Sequence, residues 1–157
     1  MLGRNVCGSV VLAIVLTIVL TMLPLAAGAG DISGDVEKVL RQIHQDRPVP
    51  SLDYLRKVEP INAGCACYRG VYRGIAITVE THQDSDRVAS LLLEIPGPDR
   101  TKEVFPAVRR VIGPERYRKP KQSEYGWEWS DFRTASVHYV KGTGPDKGVT
   151  VVSLFYR

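Results

Sequence analysis

Residue types that carry chemistry are scarce in this chain. It has three histidines and three cysteines in 157 residues. His44, His82 and His138 fall in a predicted helix tail, a loop and a strand. Their spacing forms no metal-ligand motif. No serine or cysteine stands in a recognisable nucleophile setting, so a catalytic triad has no support. Asp84 and Asp86 could be grouped with Asp53 or Glu80, but aspartates in a hairpin turn are ordinary turn chemistry. Low-complexity tracts are absent too. The sequence therefore predicts a folded, non-enzymatic protein with no cofactor and no resident metal.

Charge is missing from one continuous stretch, Val6 to Gly30. Arg4 precedes it, Val10 to Leu25 is apolar apart from threonines, and Pro24 breaks it just before small residues. Ala27-Gly28-Ala29 fits a small-x-small cleavage site. These features predict a secretory signal over residues 1–29, cut after Ala29. A mature domain, 30–157, would then lie in the periplasm or be secreted. The alternative is a membrane-anchored protein, since about 20 apolar residues suffice to cross a bilayer. A lipid-accepting cysteine would follow the apolar run, whereas Cys7 precedes it. The whole chain carries +4, and losing Arg4 leaves +3. That mild basicity suits an acidic partner or an anionic surface without calling for nucleic acid.

What is present reads as one α+β domain. Val36, Val39, Leu40 and Ile43 share a helix face. Arg47-Pro48-Val49-Pro50 ends that helix. A short helix is expected after Ser51, with Leu52, Leu55 and Val58 inward and Pro60 as its stop. A third helix runs from about Lys102 to Ile112, with Pro106 expected near its first turn. Gly113-Pro114 closes it. Strands are predicted over Tyr68 to Thr81, Val88 to Ile95, Glu124 to Ser130, Ala135 to Lys141 and Val149 to Tyr156.

The pieces repeat at an offset of about 60 residues. Leu55-Arg56-Lys57-Val58, Cys65-Ala66-Cys67 and a hairpin are matched by Val108-Arg109-Arg110-Val111, Trp127-Glu128-Trp129 and a hairpin. The pattern predicts two related helix-plus-three-strand halves, 51–96 and 99–157, joined at Pro96-Gly97-Pro98. Their strands would form one antiparallel sheet with helices packed on one face and the other face partly open. Val111-Ile112-Gly113-Pro114, Tyr125-Gly126-Trp127-Glu128-Trp129 and the closing hairpin cover about 55 residues. This arrangement resembles two families. One is the secreted beta-lactamase inhibitor protein, a tandem of helix-plus-sheet repeats that binds enzymes with one sheet face. The other is the small outer-membrane assembly lipoproteins, which have a single such repeat. The lipoproteins' anchoring cysteine and the inhibitor's wide cysteine spacing are absent. The resemblance thus implies architecture and carries over no functional residue.

Three features are candidate sites. Without the leader, Cys65 and Cys67 are the only cysteines, in a compartment that oxidises thiols. Residues i and i+2 of an extended strand lie ~6.6–6.8 Å apart, at the upper limit for a disulfide. Gly64 permits the kink that pairing needs. A structural disulfide, a redox pair and a Cu(I)-binding pair all remain open. Second, Arg116-Tyr117-Arg118-Lys119-Pro120-Lys121 concentrates positive charge in a predicted loop. A protein partner, or anionic envelope polymers and phospholipid headgroups, would suit Arg116, Tyr117, Arg118, Lys119 and Lys121. Third, Tyr125, Trp127 and Trp129 alternate and share one sheet face. Under a helix they are core, whereas in the open they form an interface platform that Phe132 and Tyr139 could extend. Trp129, near the strand end, is the best candidate for exposure. The leading expectation is an envelope protein-binding module such as an inhibitor, immunity or assembly factor. The alternative is a thiol-redox or copper-handling protein.

Overall fold

The computed structural model describes residues 30–60, 62–129, 133–143 and 147–156. The candidate leader and anchor, residues 1–29, lie outside the described residues, as does Phe132. The chain runs through α1 (Ile32–Gln42), then β1 (Leu55–Val58), β2 (Cys67–Tyr72), β3 (Ile75–Thr81) and β4 (Val88–Gly97). It continues through α2 (Thr101–Ile112), β5 (Tyr117–Lys119), a 3-10 turn (Pro120–Gln122), β6 (Glu124–Glu128), β7 (Arg133–Val140) and β8 (Gly148–Tyr156). The fold is α+β.

Both helices start and stop for local reasons. The Asp31 side chain accepts a hydrogen bond from the Gly34 amide at 3.0 Å, capping α1. At α2, the Asp99 carboxylate accepts from the Thr101 amide at 2.9 Å, and Gly113 ends the helix at φ 93°. Val36, Val39 and Leu40 of α1 and Val104 and Val108 of α2 are buried.

The eight strands form one sheet in the order β1-β2-β3-β4-β8-β7-β6-β5. Every pair is antiparallel. Each half is a helix followed by four strands, and the halves meet where β4 pairs with β8, from Ser90↔Phe155 to Gly97↔Gly148. Ile75, Ile77 and Val79 of β3, Leu91, Leu93 and Ile95 of β4, and Val152 and Leu154 of β8 join the two helices in one core. The helices therefore cover one face of the sheet.

Several expectations need correction. The short helix predicted after Ser51 is instead β1, an edge strand paired with β2. The helix of the first half is α1, so that half begins well before residue 51 and holds four strands rather than three. Tyr68 to Thr81 is two strands, not one. Arg73 and Gly74 take φ 48° and 84° and turn the chain between β2 and β3, as a two-residue hairpin loop requires. The basic run is not wholly loop, because Tyr117–Lys119 pairs with β6 as the other sheet edge. Pro106 lies one turn deeper in α2 than expected, at its sixth residue.

Candidate functional site

Strand register places every side chain on one face or the other, since neighbours along a strand alternate. Tyr125 and Trp127 point to the helix side and are buried. Phe105 of α2 stacks on Tyr125 at 4.0 Å between ring centroids, and the Trp127 Nε1–H donates to the Gly113 carbonyl at 2.9 Å. They are core and not a platform. Trp129 also falls on that side, partly buried against the core and with the Arg133 guanidinium over its ring. It is therefore not part of the uncovered face.

The basic run is divided by the same alternation. Tyr117 and Lys119 of β5 project to the uncovered face, and Arg118 projects away from it. Much of the positive charge is neutralised in place. Arg118 and Arg109 both meet the Glu115 carboxylate, Arg109 at 3.5 Å. Arg110 reaches Glu37 at 2.8 Å and Lys119 reaches Glu124 at 3.4 Å. Burial pushes the Glu115 carboxyl up, but its backbone hydrogen bond and the two arginines outweigh this and hold it below the ordinary range. Arg116 and Lys121 are exposed without an ion pair among the described residues.

Cys65 and Cys67 are free thiols, and of the three alternatives the disulfide is not formed here. Cys67 is 1% exposed, and Cys65 lies half-buried just before β2. The Ala66 amide between them donates to the Thr81 hydroxyl at 2.8 Å, which ties this corner to the end of β3. A thiol that exchanges with a partner must meet it, and only Cys65 reaches solvent.

The uncovered face holds what sequence reasoning missed. Val71, Tyr117, Val140 and Phe155 are the exposed large hydrophobics among the described residues, at 63, 44, 48 and 44%. All four lie on the face opposite the helices. Pairing registers arrange this face in rows across the strands. The central row runs Arg69, Thr78, Leu92, Ser153, Ser136, Gly126, Tyr117. On one side lie Val71, Ala76, Glu94, Val151, His138 and Glu124. On the other lie Cys67, Glu80, Ser90, Phe155, Thr134 and Glu128. The central row is mostly small, so it is a trough between two banks. A cleft of about 700 Å³ occupies its first-half end. A smaller one of about 280 Å³ lies beyond Phe155.

Tyr117 closes the second-half end. Its ring lies so close over Gly126 that a β-carbon there would sit 2.0 Å from it. Glycine is needed for that approach. Partial burial and the nearby Glu124 carboxylate push the Tyr117 phenol above its ordinary value. It is thus a neutral donor at physiological pH, reaching Glu124 at 3.3 Å.

The trough also contains the nearest approach to a nucleophile and a base. Ser136 Oγ lies 3.1 Å from His138 Nδ1 and 2.8 Å from Ser153 Oγ. Glu124 stands opposite His138, but its carboxylate oxygens accept from Tyr117 and Lys119. Backbone amides around Ser136 belong to the β6, β7 and β8 ladders, which leaves no pair of donors for an oxyanion among the described residues. The arrangement can hold a polar group.

Sequence could have signalled this face. Leu91-Leu92-Leu93 and Val151-Val152 are apolar in consecutive positions, which puts apolar groups on both sides of β4 and β8. No family model matches the chain, and no curated protein or solved structure matches it.

Proposed function

We propose that this chain is an exported, non-enzymatic binding protein of the bacterial envelope, and that the uncovered sheet face receives a protein partner. The observation carrying this reading is the gathering of Val71, Tyr117, Val140 and Phe155 on the face without helices. Scattered exposed apolar side chains are ordinary, but a set confined to one face marks a contact surface. Apolar groups with hydrogen-bonding rims are the usual make-up of such surfaces. The export half of the proposal rests on the leader-like residues 1–29. Its action is that of an inhibitor, immunity or assembly factor, which works by occupying a partner.

The test compares proteins retained from an envelope extract by immobilised wild type and by a Val71→Glu, Phe155→Glu variant. Both positions are exposed, so the substitutions leave the core untouched. The wild type is expected to retain a defined protein that the variant loses. Identical retention by both overturns the assignment of this face.

A further inference from the structure

The uncovered face carries an unexpected charge distribution for a chain of net +4. Glu94 and Glu124 stand on one bank of the trough, and Glu80 and Glu128 stand on the other. Glu124 is satisfied by Lys119. Glu80, Glu94 and Glu128 have no ion pair among the described residues. Off this face, Glu37 holds Arg41 and Arg110, Glu103 holds Arg100, and Glu115 holds Arg109 and Arg118, while the exposed Glu59 has no ion pair among the described residues. Three glutamates without an ion pair, Glu80, Glu94 and Glu128, thus share this one face with the exposed Phe155 and the half-buried Leu92.

We infer that the trough takes a cationic, apolar segment of the partner: an extended stretch or loop tip with lysine or arginine on both sides of an apolar residue. The inference rests on the reading of this face as the docking surface. Charge and geometry both point to this occupant. An apolar side chain fits the cleft formed by Val71, Leu92 and Phe155. Glu80 and Glu94 flank that cleft from opposite banks, so long cationic side chains that bend back from the residues next to the apolar group, one toward each bank, meet them. Complementary charge also steers the encounter and rejects acidic competitors. Arg69 lines the first-half end of this same cleft and Tyr117 closes the far end of the trough, so cations are favoured between them, at the two glutamates.

Length follows from strand spacing. The trough floor from Thr78 to Gly126 crosses five strands. At ~4.8 Å between neighbours that is about 19 Å, or roughly six residues of extended chain.

Three labelled hexapeptides test this by fluorescence anisotropy at low and high salt. One alternates leucine with lysine, one alternates leucine with glutamate, and one is all lysine. The leucine–lysine peptide is expected to bind best, with affinity that falls as salt rises. Glu80→Gln with Glu94→Gln is expected to weaken it roughly tenfold, the scale of two ion pairs of about 0.7 kcal/mol each. Neither carboxylate holds an ion pair among the described residues, and the 3.4 Å hydrogen bond that Glu80 accepts from the Ser90 hydroxyl can be kept by a glutamine amide oxygen, so the double variant keeps its structure, as circular dichroism will record. Equal binding of the leucine–glutamate peptide, binding of no peptide, or indifference to the double variant overturns the inference. Preference for the acidic peptide with loss on Phe155→Ala would keep the docking face and reject only its charge class.

Discussion

Glu37 sits on α1 with its carboxylate drawn to two arginines. Arg41, one turn on, donates at 2.8 and 2.9 Å, and Arg110 of α2 donates at 2.8 Å. The Arg41 and Arg110 hydrogen bonds hold the Glu37 carboxyl below the ordinary glutamate range. In the unfolded chain the same group protonates near pH ~4.3. Between that value and the lowered one, the unfolded chain binds more protons, so acid favours unfolding. The contribution is complete above about pH 5 and disappears as pH falls through the folded value. Protonated Glu37 is then close to glutamine in charge. Glu37→Gln should therefore be less stable than wild type at pH 7, with the difference shrinking as the solution is acidified. Urea midpoints at pH 7, 4 and 3 check this. A gap that stays constant or grows in acid would show that the two arginines do not act on Glu37 as described. The same residue bears on function: Arg110, Arg109 and Arg118 are held by internal glutamates, so the basic end of the second half offers less free charge than its sequence suggests.

The helix α2 tolerates a proline where one is expensive. Pro106 lacks the amide that would donate to the Lys102 carbonyl, and a proline inside a helix costs about 3 kcal/mol. Pro106 and Lys102 are both exposed, so water can meet the freed carbonyl and part of that cost is recovered. Pro106→Ala restores the bond but lets the unfolded chain gain about 0.4–1 kcal/mol of freedom. The net expectation is a stabilisation of about 1–2 kcal/mol, read as a raised melting temperature. An unchanged or lowered melting temperature would mean that α2 is built around its proline. This element also indicates what is legible in a sequence. Both helices and the inner strands β3, β4, β7 and β8 could be read because each buries a regular apolar stripe, such as Ile75, Ile77 and Val79. The turn between β2 and β3 is missed, and the two elements misread in type, β1 and β5, are the two edges of the sheet. Arg56 and Lys57 are exposed in β1, and all three residues of β5 are exposed. Charged, short edges discourage pairing with other chains, and the same property removes the periodic signal. Leu52, Leu55 and Val58 then mimic a helix by their spacing. Leu91-Leu92-Leu93 and Val151-Val152 signal an apolar second face, but the shape of the trough on it is hidden. It arises from register across β3, β4, β8, β7 and β6, which no single segment encodes.

The whole molecule rests on one junction. The β4·β8 pair joins the halves through eight residue pairs, and the core continues across it from Leu91 and Leu93 to Val152 and Leu154. Neither half alone could cover its central strand, because each inner edge would expose a full ladder of unpaired backbone groups. The halves should therefore unfold together, although each has its own helix and four strands. The chain supplies a natural reporter in each. Cys67 is buried at the β2 end of the first half, whereas both tryptophans, including buried Trp127, belong to the second. In a Cys65→Ser protein lacking residues 1–29, Cys67 is the only thiol. Its reaction with a thiol reagent then reports opening of the first half, while tryptophan emission reports opening of the second. One cooperative unit gives coincident urea midpoints and equal slopes by both probes. Separate midpoints, with Cys67 reacting before tryptophan emission changes, would mean that β4·β8 is a contact between two independently stable units. The trough, which crosses that junction between Leu92 and Ser153, would then change shape as the halves move. Coincidence would make it a rigid, preformed surface, able to bind without the cost of ordering it first.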